Sequence, residues 1–153
     1  MDNIVKIYTD GGCRSNQSKD NIGAYAAVLH FREFKKIVSQ PIRNTTNNQM
    51  EIRAVIEGLK VIKNDKFPIR IYSDSAYVVN CINKKWYDKW RKNGWVKNDG
   101  KEVKNYELWK ELIELYESFS DIKIYKVKGH SDDIFNEEAD EIVNKTMDDM
   151  YKQ

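Results

Sequence analysis

The chain has 153 residues, 41% of them apolar and 33% charged, with 7 Gly, 2 Pro and a net charge of +2. That length suits one domain with a real core, and the composition excludes a disordered or low-complexity chain. No apolar run approaches the ~20 residues that span a bilayer, which excludes a transmembrane helix. The near-neutral total hides an uneven distribution. Lys84–Lys104 carries eight Lys/Arg against three acids, a local +5 that leaves about −3 for the remainder. The two cysteines, Cys13 and Cys81, form neither a disulfide framework nor a metal-ligand spacing. With no signal peptide they predict a reduced, intracellular and cytoplasmic protein.

The first element is a β-branched strand, Ile4–Tyr8, that delivers Asp10 to its carboxyl end ahead of an expected sharp turn at Gly11-Gly12. Polar residues 14–21 read as a loop. Two further strands, Ala24–Phe31 and Lys36–Ile42, follow at short connections, so the first three strands should pair antiparallel. A helix comes next, with Ile52, Val55, Ile56, Leu59 and Ile62 at helical spacing. Thr46-Asn-Asn-Gln49 fits a capping box ahead of it, Thr46 as N-cap and Gln49 reaching back.

Asp65–Pro68 ends that helix and leads into a strand at Ile69–Ser73, which stops on Asp74. The crossover lets this strand run parallel to the first, bringing Asp10 and Asp74 to one edge outside the carboxyl ends of parallel strands. Ser75 caps a short helix, Ala76–Asn83, and the basic, tryptophan-rich segment follows. A long amphipathic helix turns Leu108, Trp109, Leu112, Ile113, Tyr116 and Phe119 inward, and Ile122–Val127 is a fifth strand. After the loop 128–133, a last helix carries the stripe Ala139, Ile142, Val143, Met147 and Met150, with Asn136 as its expected N-cap. The fold class is therefore α/β: a five-stranded mixed sheet, its first three strands antiparallel, flanked by helices, all within one domain spanning 1–153.

Two strands ending on aspartates predict a shared acidic edge that holds divalent metal for phosphodiester hydrolysis. An Asp at a strand end is also a common turn residue, and only the pairing favours the functional reading. Glu51 lies beside the buried stripe of its helix and not opposite it. Asp140, among many acidic neighbours, reads from composition alone as part of a solvated face, and His130 as an exposed loop histidine. In the basic segment, Trp86, Trp90 and Trp95 interleave with Lys85, Lys89, Arg91 and Lys92, the combination a nucleic-acid groove uses. Trp86 and Trp90, spaced four apart, fit equally a helix whose rings belong to the core.

Tyr8-Thr-Asp10-Gly-Gly, Thr45-Thr-Asn-Asn-Gln-Met-Glu51, Tyr72-Ser-Asp74-Ser, and Val127-Lys-Gly-His130 through Asn136-Glu-Glu-Ala-Asp140 resemble, in order and spacing, the blocks of type 1 ribonuclease H. The Trp86–Trp95 segment resembles the basic protrusion of its bacterial members. The resemblance implies a ribonuclease H-like fold and an endonuclease that cuts the RNA strand of an RNA·DNA hybrid, leaving 5′-phosphate and 3′-hydroxyl ends. It nominates Asp10, Glu51, Asp74 and Asp140 as metal ligands for two Mg²⁺ (or Mn²⁺), with His130 in proton transfer and product release. Hard oxygen ligands without Cys or His suit that metal.

For substrate binding the resemblance implies Asn47 and Asn48 in the minor groove of the hybrid, and Thr46 with Asn105 in a phosphate pocket for the DNA strand. Trp86, Trp90, Arg91 and Lys92 would contact it from the protrusion, and Asn136 would be a ligand-side polar group. The expected state is a monomer, with no membrane partner. Departures from the family pattern are the Arg14-Ser-Asn-Gln-Ser-Lys-Asp20 loop, usually rich in Gly and Pro, and Asp132-Asp133 beside His130. Two rival readings stand: a hybrid-binding module without turnover, and another metal nuclease of the same broad fold.

Overall fold

The computed structural model describes residues 2–14, 20–128 and 134–151. Five strands, β1 (Val5–Arg14), β2 (Ile22–Phe31), β3 (Phe34–Arg43), β4 (Ile69–Ser73) and β5 (Ile122–Lys126), form one sheet in the order β3-β2-β1-β4-β5. Strands β1, β2 and β3 pair antiparallel, and β4 and β5 run parallel to β1. The helices are α1 (Asn47–Val61), α2 (Ala76–Asn83), α3 (Trp86–Lys92), α4 (Tyr106–Glu117) and α5 (Ile134–Tyr151). This is the mixed α/β sheet expected from the hydrophobic periods.

Alternation along β1 sorts its side chains between two layers. Ile7 lies in the main core, which also holds Ile52, Val55, Ile56 and Leu59 of α1 and Trp109 and Leu112 of α4. On the opposite face Tyr8 packs with Ala139 of α5, while Val143 and Met147 cover Ala24 and Ala26 of β2. Trp109 is fully buried, and its indole N–H donates to Tyr77 Oη at 2.8 Å, so its one polar atom is satisfied. No disulfide joins Cys13 and Cys81.

Three local expectations need correction. The chain does not turn at Gly11-Gly12: β1 runs on to Arg14, with Gly11 opposite Tyr25 and Gly12 opposite Ala24. A Cβ on Gly11 would meet Met50 C at 2.4 Å and Glu51 N at 2.5 Å, so this glycine serves a close approach of strand and helix and not a bend. Only half of the capping box forms. Thr46 Oγ1 accepts from Gln49 N at 3.1 Å, but the Gln49 side chain accepts from Thr45 Oγ1 (2.9 Å) and donates to Asn105 Oδ1 (3.2 Å). Asn136 is not an N-cap. The last helix already begins at Ile134, and Asn136 is buried within it.

Candidate active site

Four segments supply the acids. Asp10 is buried on β1, and Asp74 follows the end of β4, in register with it through the Thr9–Ser73 pair. Both therefore stand just past the last pair of the parallel β1–β4 ladder, at its carboxyl end. Glu51 comes from the second turn of α1, pressed against β1 where Gly11 leaves room. One carboxylate oxygen from each of Asp10, Glu51 and Asp74 lies within 4.8 Å of the other two. Asp140, on α5, joins them from the far wall of the cleft. It interacts electrostatically with Asp10 and shares a hydrogen bond with it.

Packing carboxylates together without a cation is unfavourable, and the titration behaviour records the cost. Burial, then the charges of Asp74 and Asp140, push Asp10 up to about 8, against a partial offset from the Gly11 N–H. Glu51 is raised well above the usual carboxylate range, by burial first and then by Asp10 and Asp74. Glu51 Oε1 is buried and has no hydrogen-bond partner among the described residues. A divalent cation fits this donor set: hard oxygens alone, one of them unsatisfied, in a cleft of about 440 Å³ that opens to solvent. Asn47, at the start of α1, also lines the cleft, as do Cys13, Arg14 and Asn144, which the sequence did not single out. Arg14 had one signal, a cation where the family pattern expects small loop residues.

The other nominated residues are distributed as follows. Thr46 and Asn48 are exposed at the α1 N-terminus. A second cleft, about 690 Å³, runs between β3, α1 and the segment before α4, lined by Thr45, Gln49, Arg53, Lys104 and Asn105 among others. Asn105 has a left-handed backbone (φ 64°), which Asn tolerates. Its Nδ2 is buried with no acceptor among the described residues. Asn136 Oδ1 is likewise buried without a donor among them. His130 lies outside the described residues.

In the basic segment the two readings of the tryptophans divide. Trp86 is 38% exposed at the start of α3. Trp90 is half-buried, its ring 6.4 Å from Trp109 and 6.3 Å from Trp95, so one of its faces belongs to the core. Arg91 makes a two-pronged pair with Glu117 (2.7 and 3.1 Å) and a bond to Asp88 (3.0 Å). Lys92 is exposed and has no ion-pair partner among the described residues. No described helix is long and apolar enough to cross a membrane.

Comparison with known proteins places this geometry. The family model described as RNase H matches residues 2–148. The chain is 49% identical to a ribonuclease H of Clostridium botulinum over 145 residues, 95% of this chain and 96% of that one. It is 44% identical to a ribonuclease H of Caldicellulosiruptor saccharolyticus over 146 residues, 95% and 97% of the two chains. Among solved structures, LC9-RNase H1, a type 1 RNase H with the type 2 active-site motif, superposes with a TM-score of 0.80 at 25% identity, over 94% of this chain and 71% of that one. A foamy viral protease-reverse transcriptase in complex with RNA/DNA hybrid matches with a TM-score of 0.75 at 25% identity, over 93% of this chain and 20% of that one. An acidic cluster at the ends of parallel strands, in a chain matched nearly end to end, has one consistent identity: the protein belongs to the ribonuclease H family and is a nuclease of the hydrolase class.

Proposed function

We propose that the protein is an endoribonuclease, a single catalytic domain over 1–153, that hydrolyses the RNA strand of RNA·DNA hybrids in the cytoplasm and leaves 5′-phosphate and 3′-hydroxyl ends. The observation that carries this reading is the convergence of Asp10, Glu51 and Asp74 within 4.8 Å, with Asp140 beside Asp10. These four would hold two Mg²⁺ or Mn²⁺. Divalent cations, when bound there, activate water and neutralise charge on the attacked phosphate and leaving oxygen.

The chain's own residues then have separate tasks. Glu51, fixed by the contact of α1 with Gly11, contributes one carboxylate oxygen to the buried cluster. Asn47 borders the same cleft, so a strand lying over the acids would pass the α1 N-terminus, where amide dipoles favour phosphate. Asn48 extends that edge. Asn105 lines the second cleft and Thr46 follows Thr45 of its wall, and the unsatisfied Asn105 Nδ2 supports a phosphate pocket for the DNA strand formed by the two. Recognition of 2′-hydroxyls and duplex shape needs little base reading. Trp86, Trp90, Arg91 and Lys92 would bind the duplex beyond this pocket. In this role Arg91 would have to share a guanidinium already engaged by Glu117. His130 would serve proton transfer and product release, a task imidazole chemistry suits, and Asn136 would present its amide near the substrate.

The test compares end-labelled RNA·DNA, RNA·RNA, DNA·DNA and single-stranded RNA, each with Mg²⁺ or EDTA. Cleavage confined to the RNA of the hybrid, and only with metal, is the expected outcome. Cutting of all four substrates, or cutting in EDTA, would reject it.

A further inference from the structure

The acids differ in how they are held. Asp10 and Asp74 sit on adjacent, hydrogen-bonded strands, and Glu51 is clamped against β1 by backbone contact. Asp140 comes from α5, a helix docked on the sheet by small and flexible side chains such as Ala139, Val143 and Met147. Apolar contacts are non-directional, so the polar ties across this interface help to set the level of the helix. Two of these ties reach β3: Ser39 Oγ lies 2.7 Å from Thr146 Oγ1, and Lys35 pairs with Glu138. A third reaches β1, the strand that carries Asp10, and its residue is Arg14.

The Arg14 guanidinium pairs with Asp148 through Nη1 and donates through Nη2 to Asn144 Oδ1 (3.0 Å) and Asn144 O (3.3 Å). Asn144 Nδ2 in turn donates to the Asp140 carbonyl at 3.0 Å, one helical turn earlier. An unbroken chain of hydrogen bonds thus runs from the end of β1, through one side-chain amide, to the backbone that bears Asp140. Between these points Val143 packs over Gly12, 3.4 Å from where a Cβ would stand. A planar guanidinium that bonds several acceptors fixes both distance and orientation, which an ammonium does less well.

We propose that Arg14 is a positioning residue for the metal site: through Asn144 and Asp148 it sets the level of α5 against β1 and so the separation of Asp140 from Asp10. Nothing in the general chemistry of the acid cluster demands an arginine here. The proposal rests on the reading of that cluster as a cation site. Arg14 lines the same cleft as the acids, yet its charge is matched by Asp148, so it does not compete with a cation for them.

The experiment is a titration of Mn²⁺ by calorimetry into the full chain, without substrate, with Asp10→Asn as control. Arg14→Ala should weaken Mn²⁺ binding about tenfold, as loss of a supporting partner does at other metal sites, and Arg14→Lys should restore part of it. Asp148→Ala should weaken it too, but add little once Arg14 is already Ala, because both remove one clamp. Hybrid binding in EDTA should keep its wild-type salt dependence in Arg14→Ala. Mn²⁺ binding that falls in Asp10→Asn but not in Arg14→Ala would overturn the clamp alone. So would a reduced salt slope with unchanged metal affinity, which would make Arg14 a phosphate contact. Mn²⁺ binding indifferent to Asp10→Asn would overturn the cation-site reading, and this proposal with it.

Discussion

The backbones of Gly11 and Glu51 touch: a methyl group at Gly11 would lie 2.5 Å from the amide nitrogen of Glu51. That contact makes the position of one acid depend on the absence of a side chain beside another. Gly11→Ala must push α1 away from β1, at an overpacking cost of about 1–3 kcal/mol. Because Glu51 moves with the helix, activity should fall by more than stability alone explains, about 10²-fold for a displacement near 1 Å. Thermal unfolding and single-turnover cleavage of the same variant check this. Wild-type activity in a destabilised Gly11→Ala would refute it.

Charge crowding gives a second prediction, with a definite sign. Asp10 titrates at about 8 in the fold and near 4 in an unfolded chain. Between those values the metal-free folded state keeps a proton that the unfolded chain releases, so this group's contribution to stability is lost as pH rises from about 4 to 8. Asp10→Asn removes that loss. In EDTA at pH 8 it should melt higher than wild type by at least ~2 °C, corresponding to ~1 kcal/mol for a chain of this size, and the advantage should vanish near pH 4. A lower melting temperature at pH 8 would count against the account.

Divalent metal should reverse the ranking. A cation bound only by the folded state stabilises it by about 2.7 kcal/mol at one hundred times its dissociation constant. Melting curves should therefore rise with Mg²⁺ in wild type and much less in Asp10→Asn or Glu51→Gln. Equal rises in all three would mean that the cation binds elsewhere.

In the basic segment, ion pairing separates two neighbours. Lys92 is exposed and has no ion-pair partner among the described residues, so Lys92→Ala should lower the salt slope of hybrid binding by ~1 and weaken unrelated sequences equally. Arg91 joins α3 to Glu117 at the end of α4. Arg91→Ala should change the salt slope less and instead lower stability by up to ~1 kcal/mol, the range for an exposed ion pair. Binding isotherms at several salt concentrations, with melting curves of both variants, decide it.

Much of this was legible in the chain because it depends on period and order. The 3.6-residue stripe of α1, the caps at Thr46 and Ser75, and the end of β4 just before Asp74 are local signals, and the crossover through α1 lets β4 run parallel to β1. What escaped depends mostly on partners distant in sequence. Gly11-Gly12 reads as a turn until β2 is seen paired with it, α1 lying on Gly11 and α5 on Gly12. Gln49 had a local partner to reach back to, but Thr45 and Asn105 took its side chain. Asn136 looked like a cap because helix starts favour Asn, whereas the helix begins two residues earlier. Asp140 borders the Ala139/Val143 stripe, but nothing local marked it as a ligand: its closeness to Asp10 comes from the docking of α5 on the sheet.

Single-turnover cleavage of a pre-bound RNA·DNA hybrid, started with Mg²⁺ and followed through the end-labelled RNA strand, tests the acid cluster most directly. Wild type should cut the RNA and stay inert in EDTA, while Asp10→Asn should hold the hybrid as tightly and lose at least ~10³-fold in rate, comparable to removing a principal electrostatic stabiliser. An Asp10→Asn variant that cuts near the wild-type rate, or a wild type that cuts without metal, would contradict the account.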